Sequence, residues 1–310
     1  MTARKLSTII AGCDLSVPSE QALDRAAALA QLNGAALVMV HAQADDAPIE
    51  NVDVEVLKQL GEVSAAVRAE EARRLAQRYE ELKARGINVE LIVRGGPPGD
   101  VVSGVAAERH ADLIVVGTHG HTGIQRFLLG SVATAILRTS PCDVLVCRGT
   151  TVSSAFVRPL VATDFSTAAN RALRHAAALT APGAPIEVVH AWQLPAGSWG
   201  ATLLGQARFP WSLVRDAVLT GVKEQAEKLV QSSSDLGHSL HVDLIQGPPA
   251  SVVTHAAERG GHDLIAIGTH GHRGFRRLLL GSVAESVIRH APCSVLVAHG
   301  EHAAETPKKA

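Results

Sequence analysis

Short apolar runs alternate with amphipathic stretches along the whole chain. In the first half, residues 6–11, 36–41, 89–93, 113–116 and 144–147 are strand-length runs dominated by apolar side chains. Strands covered on both faces read this way. Between them the apolar spacing turns helical. Residues 19–31 carry a helical pattern that stops before Asn33-Gly34, a helix-ending pair. Residues 44–61 read as an irregular or partly helical excursion, and 62–85 as a charged amphipathic helix ended by Gly86. Gly95-Gly-Pro-Pro-Gly99 reads as a tight loop, and 100–109 as a helix with Asp100 as its N-cap. A further helix covers 131–139. Five strands alternating with helices predict a parallel, doubly wound α/β sheet.

The second half repeats this order. Gly117-Thr-His-Gly120, nine residues, then Gly130-Ser131 returns as Gly268-Thr-His-Gly271, nine residues, then Gly281-Ser282. Asp112-Leu-Ile returns as Asp263-Leu-Ile, and Leu128-Leu-Gly-Ser-Val-Ala133 as Leu279-Leu-Gly-Ser-Val-Ala284. Pro141-Cys142 returns as Pro292-Cys293. The period is about 150 residues, far longer than a solenoid repeat, so a whole domain is duplicated. The expected domains are 1–149 and 155–300, joined by a linker at 149–154, with a flexible tail at 301–310. The second half differs by an insert at 194–213. Trp192, Trp199, Phe209 and Trp211 in and around it are expected to cap a core or an inter-domain contact.

Composition narrows the class. The chain has 310 residues, 46% apolar and 19% charged, enough apolar material for two cores. Its formal net charge is −1. No basic field points to nucleic acid, and Lys308-Lys309 reads as a solvated end. No apolar stretch is long enough to span a bilayer. Residues 1–5 run into the first strand without a signal-peptide layout. Cys13, Cys142, Cys147 and Cys293 show no C-x-x-C spacing, and Cys142 and Cys293 read as small buried hydrophobes. Together these features point to a cytoplasmic protein without membrane or nucleic-acid partners.

The duplicated glycine segment carries the chemistry. Each copy follows a strand and leads into a helix, an arrangement whose backbone N–H groups and helix dipole suit a phosphate. Gly120 and Gly271 remove a Cβ where backbone can approach a ligand. Ser131 and Ser282 can cap the next helix or offer hydroxyls to a phosphate. The same glycines also suit a plain tight turn. The pattern is neither a Walker A loop nor a compact G-x-G-x-x-G.

With the Gly-Ser pair, the following helix, and the Pro-x-x-Val-Leu-Val strand, the chain resembles the universal stress protein family. Cys13-Asp14-Leu-Ser and Thr163-Asp164-Phe-Ser fit it, as do Val40-His41-Ala42 and Val189-His190-Ala191. The resemblance covers nearly the whole chain, and the glycine spacing matches the ATP-binding branch. It implies two tandem doubly wound five-stranded domains, Rossmann-like and of the adenine nucleotide alpha hydrolase kind. It implies ATP in each half, and an accompanying Mg2+ would be held mostly by phosphates and water. Asp14 and Asp164 would bond the ribose, and the backbone at Ala42 and Ala191 would meet the adenine edge. Gly117, Gly120, Gly130, Ser131 and Val132 would surround the phosphates, as would Gly268, Gly271, Gly281, Ser282 and Val283. Asp14 and Asp164 also suit a turn or N-cap role, and His41 and His190 read as structural strand-end residues.

His119, His121, His270 and His272 lack a third ligand at a usual metal spacing, so a polar loop facing phosphate is expected rather than a metal site. Arg126, Arg273, Arg276 and Arg277 suit either screening of phosphate charge or a solvated face. No general base stands beside the loop in sequence, and no G-x-S-x-G elbow occurs. The expected role is a stress-response sensor or regulatory module. A slow ATPase on the same scaffold and a non-nucleotide interaction scaffold are the alternatives. The family resemblance also implies pairing through the last strands, 144–147 and 295–298, which would make an intramolecular pseudo-dimer of the halves and leaves room for a homodimer.

Overall fold

The computed structural model describes residues 6–43, 54–118, 129–149, 154–194, 211–269 and 280–299. The chain divides between Ser154 and Ala155 into two compact units.

The first unit runs β1 (Thr8–Gly12), α1 (Val17–Asn33), β2 (Ala36–Gln43), α2 (Val54–Ala84), β3 (Val89–Gly95), α3 (Pro98–Glu108), β4 (Leu113–Gly117), α4 (Ser131–Thr139) and β5 (Asp143–Cys147). Its strands are parallel in the order β3-β2-β1-β4-β5. The second unit runs β6 (Pro159–Ala162), α5 (Thr167–Leu179), β7 (Ile186–Trp192), α6 (Trp211–Ser232), β8 (Leu240–Gln246), α7 (Pro249–Gly260), β9 (Leu264–Gly268), α8 (Ser282–His290) and β10 (Ser294–Ala298). Its parallel order is β8-β7-β6-β9-β10. In each unit the first strand lies between the second and fourth. Chain progression reverses there, so the crevice opens past the C-terminal ends of these strands.

The continuous apolar runs are buried as both-face coverage requires. Ile9, Ile10, Leu37, Leu113, Ile114 and Val144, and in the second unit Leu264, Ile265 and Val295, are inaccessible to solvent or nearly so. The repeated Asp-Leu-Ile has a clear physical cause. Asp112 Oδ2 accepts hydrogen bonds from the N–H groups of Ser7 (2.7 Å) and Thr8 (3.1 Å). The Asp263 carboxylate accepts from Val157 (2.8 Å) and Arg158 (3.0 Å). Each aspartate thus fixes the entry of the central strand beside its neighbour.

Several sequence expectations are corrected. Helix α2 is one helix from Val54, with Gly61 in its interior, so the first part of the expected excursion at 44–53 alone lies outside the described residues. One interior glycine costs about 1 kcal/mol. Strong helix formers surround it, and i,i+3 pairs such as Glu70 with Arg73 and Arg78 with Glu81 add support. Arg78 also bonds Asp24 at 2.8 Å and ties α2 to α1. Asp100 is not the N-cap of α3. Pro97 holds that position and Pro98 sits in the first turn, where a fixed φ pre-organises the helix start. Asp100 instead faces the positive end of the helix from within that turn.

Cys142 is only half-buried, while Cys13, Cys147 and Cys293 are buried, and none of the four is in a disulfide. Burial pushes the Cys13 thiol up to about 11 and the Cys147 thiol up to about 12. Trp192 closes β7 and is buried. Trp211 opens α6, and Trp199 and Phe209 lie outside the described residues. Among the described residues no helix is long and apolar enough to cross a membrane.

Candidate functional site

In the second unit a cavity of about 770 Å³ opens past the ends of β6, β7 and β9. That size suits a small-molecule ligand. Its walls include Asp164, Ala191, Gly268, Gly281, Ser282 and Val283. These are the expected second-half site residues within the described chain, and one concavity gathers them. Gly271 lies outside the described residues, as do His270, His272, Arg273, Arg276 and Arg277.

The loop after β6 is held in an unusual shape. Asp164 Oδ1 accepts a hydrogen bond from Ser166 N–H at 3.0 Å. Ser166 itself caps α5 by accepting from Ala169 N–H at 3.2 Å. Between them Phe165 has φ +63°, a left-handed conformation that costs a side-chain-bearing residue about 1–2 kcal/mol. Its N–H donates to Thr163 Oγ1 at 2.9 Å, and its ring lies 4.6 Å from the His190 ring. His190 bonds the Thr163 carbonyl through Nδ1 at 2.8 Å and also lines the cavity. Burial holds its pKa below the usual histidine value and so favours the neutral ring. The neutral ring must then carry its proton on Nδ1 to donate that bond. The structural reading of His190 is therefore incomplete, since it also forms part of the wall.

The far wall is the start of α8. Gly281 is its N-cap, and its N–H donates to the Thr269 carbonyl at 2.9 Å. Ser282 is the first helical residue, so its hydroxyl does not cap the helix. The N–H groups of Ser282, Val283 and Ala284 lack intrahelical acceptors, as in any first turn. They carry partial positive charge beside the cavity. Pro249 and Val253 of α7 complete the wall. Sequence reasoning missed these two, although the repeated Gly-Pro-Pro at 96–98 and 247–249 was a usable signal.

The first unit repeats the frame. Asp14 Oδ1 accepts from Ser16 N–H at 3.0 Å, and Leu15 has φ +62°. His41 bonds the Cys13 carbonyl through Nδ1 at 2.8 Å. Gly130 caps α4 and donates to the Thr118 carbonyl at 2.8 Å, with Ser131 and Val132 in the first turn. Ala42 lies in β2 and Gly117 ends β4. Gly120 lies outside the described residues, with His119, His121 and Arg126. The aspartate loops are secured differently. Ser19 Oγ accepts from Asp14 N–H at 3.2 Å and donates to the Ser16 carbonyl at 3.0 Å, where the second unit has Ala169.

Two of the motif glycines have a packing cause. A Cβ on Gly117 would stand 2.7 Å from the carbonyl carbon and oxygen of Pro18. A Cβ on Gly268 would stand 2.9 Å from the carbonyl carbon of Ala168. The first helix of each unit thus lies directly on the end of the fourth strand. Among the described residues no group of three or more His, Cys, Asp or Glu side chains forms a metal site.

The family model for the universal stress protein family matches residues 5–148 and again 157–299. The chain belongs to the universal stress protein family. It carries the family's domain twice, in tandem. Universal stress protein A homolog 1 of Coxiella burnetii is 34% identical over 142 residues, covering 44% of this chain and 92% of that protein. A universal stress protein of Methanocaldococcus jannaschii is 38% identical over 87 residues, covering 28% of this chain and 51% of that protein. The chain thus spans about half the length of the archaeal relative. The crystal structure of a universal stress protein from Archaeoglobus fulgidus covers 94% of this chain and 98% of its own, with a TM-score of 0.67 at 22% identity. That likeness shows the fold, a mainly parallel α/β sheet in tandem Rossmann-like domains.

Proposed function

We propose that this universal stress protein binds ATP in each half and acts as a nucleotide-responsive sensor or regulatory module in the stress response. The cavity that gathers Asp164, Ala191, Gly268, Gly281, Ser282 and Val283 carries this reading. The Asp164 carboxylate on the cavity wall is a hydrogen-bond acceptor, which suits a ribose diol. Backbone at the end of β7 suits the edge of a base. The first turn of α8 suits phosphate, because its N–H groups and dipole favour negative charge. The first half carries the same parts at Asp14, Ala42, Gly117, Gly130, Ser131 and Val132. With no cluster of acidic or histidine ligands among the described residues, an accompanying Mg2+ would be held mainly by phosphate oxygens and water. In this reading any ATP turnover is slow and incidental.

Isothermal titration of ATP into nucleotide-stripped protein tests the proposal. Two binding events per chain are expected. Ser131→Glu and Ser282→Glu should each remove one, because a carboxylate in the first turn favours the helix and repels phosphate. Absence of heat at high micromolar protein would overturn the reading in favour of a scaffold without nucleotide. Phosphate release that persists through purification and disappears in the double variant would favour the slow ATPase.

A further inference from the structure

The two aspartate loops share one geometry, yet the first is tied to a helix by a bond with no counterpart on the second among the described residues. The Leu15 carbonyl accepts a hydrogen bond from Arg74 Nη2 at 3.0 Å. The N–H of the same peptide unit, on Ser16, donates to Asp14 Oδ1 at 3.0 Å. One peptide is therefore pinned at both ends, by an α2 guanidinium on its oxygen and by the Asp14 carboxylate on its hydrogen. Hydrogen bonds chained in this way polarise one another. The pinned peptide follows Leu15, whose φ of +62° is costly and persists only where the surroundings hold it. One turn earlier on α2, Glu71 faces His41, with Oε2 3.9 Å from Nε2. His41 in turn holds the Cys13 carbonyl. Helix α2 thus touches both chain segments that would carry ribose and base.

The second unit holds its loop by other contacts. Ser166 N–H donates to Asp164 Oδ1, but among the described residues no side chain is bonded to the Phe165 carbonyl. The Phe165 ring rests on His190, and the Thr163 hydroxyl takes the Phe165 N–H.

We infer that Arg74 is a positioning residue for the first-half nucleotide site: it transmits the placement of α2 to the Asp14 carboxylate through the Leu15–Ser16 peptide. Among the described residues the second-half site has no such bond. The inference rests on the proposed nucleotide reading for its functional part and on geometry alone for the latch. An event that shifts α2, such as a partner engaging it, would weaken nucleotide binding in the first half and leave the second unchanged.

Arg74→Met keeps the apolar stem and removes the donors, and Arg74→Lys restores a cation. Amide hydrogen exchange without nucleotide reads the latch directly. The Ser16 amide should exchange about tenfold faster in Arg74→Met, in line with loss of one charge-assisted hydrogen bond, while the Ser166 amide keeps its wild-type rate. Unchanged Ser16 exchange overturns the latch whether or not ATP binds. ATP titration then reads the functional part. In a Ser282→Glu background Arg74→Met should weaken binding about tenfold, with most of it recovered by Arg74→Lys. In a Ser131→Glu background it should change nothing. Faster Ser16 exchange with unchanged first-site affinity overturns the positioning role. A wild-type protein that takes up no ATP refutes the nucleotide reading, and Ser16 exchange still decides the latch.

Discussion

Replacing Gly117 or Gly268 by alanine tests what opens the glycine motif. Neither residue has a positive φ, so alanine suits the backbone and the whole effect is steric. The new Cβ would lie 2.7 Å from Pro18 backbone at Gly117, and 2.9 Å from Ala168 backbone at Gly268. Ordinary contact begins near 3.4 Å. The first helix must therefore retreat from the sheet by roughly half an ångström or more, and the obstacle is backbone rather than a side-chain tip that can rotate away. Overpacking of this kind costs about 1–3 kcal/mol. For a domain near 150 residues that lowers the melting temperature by about 2–4 °C per kcal/mol. Gly104 of α3 is the matched control, since a Cβ there meets nothing within 4 Å. Gly104→Ala should stabilise by up to about 1 kcal/mol through helix propensity. Denaturant unfolding of the three variants measures both signs. Gly117→Ala within about 0.5 kcal/mol of wild type would refute the packing account and return the glycine to a ligand-facing role.

Other outcomes follow from the same geometry. Asp263→Ala removes the acceptor for two strand-entry N–H groups and should cost about 1–3 kcal/mol in denaturant unfolding, and Asp263→Asn should recover part of it. His190 has a folded pKa held below its ordinary value by burial, so the unfolded chain takes up the proton first as pH falls. Its contribution to stability is therefore full above the ordinary histidine pKa and declines as pH drops below it. A melting curve series from pH 7.5 to 5 (roughly the histidine range) should show a steeper decline for wild type than for His190→Gln. A thiol reagent at pH 8 should label half-buried Cys142 in native protein, while Cys13 and Cys147, with thiols near 11 and 12, should react only on unfolding.

Much of the architecture was legible because both halves write it twice. Helix α4 reads from 131 to 139 in sequence and in structure, bracketed by Gly130 and the Ser140-Pro141 exit. Strand ends were read short, because Gly12, Gln43 and Gly117 join the ladder through backbone groups that side-chain hydropathy does not report. The start of α1 was placed two residues late. Its Ser16 cap and the proline in its first turn were the overlooked signals. The left-handed Leu15 and Phe165 were not legible at all. Neither residue type favours that conformation, and only its surroundings impose it: the Arg74 bond in one half, the His190 ring in the other. The site residues were named through family likeness, whereas the closeness of Gly117 to Pro18 needed coordinates.

The central claim is one ATP site per half. Titration of ATP into nucleotide-stripped wild-type protein, with Ser131→Glu, Ser282→Glu and the double variant alongside, tests it most directly. The account predicts two, one, one and no bound nucleotides per chain, with all four proteins equally folded. Wild type that binds none, or a double variant that binds as wild type does, would contradict it.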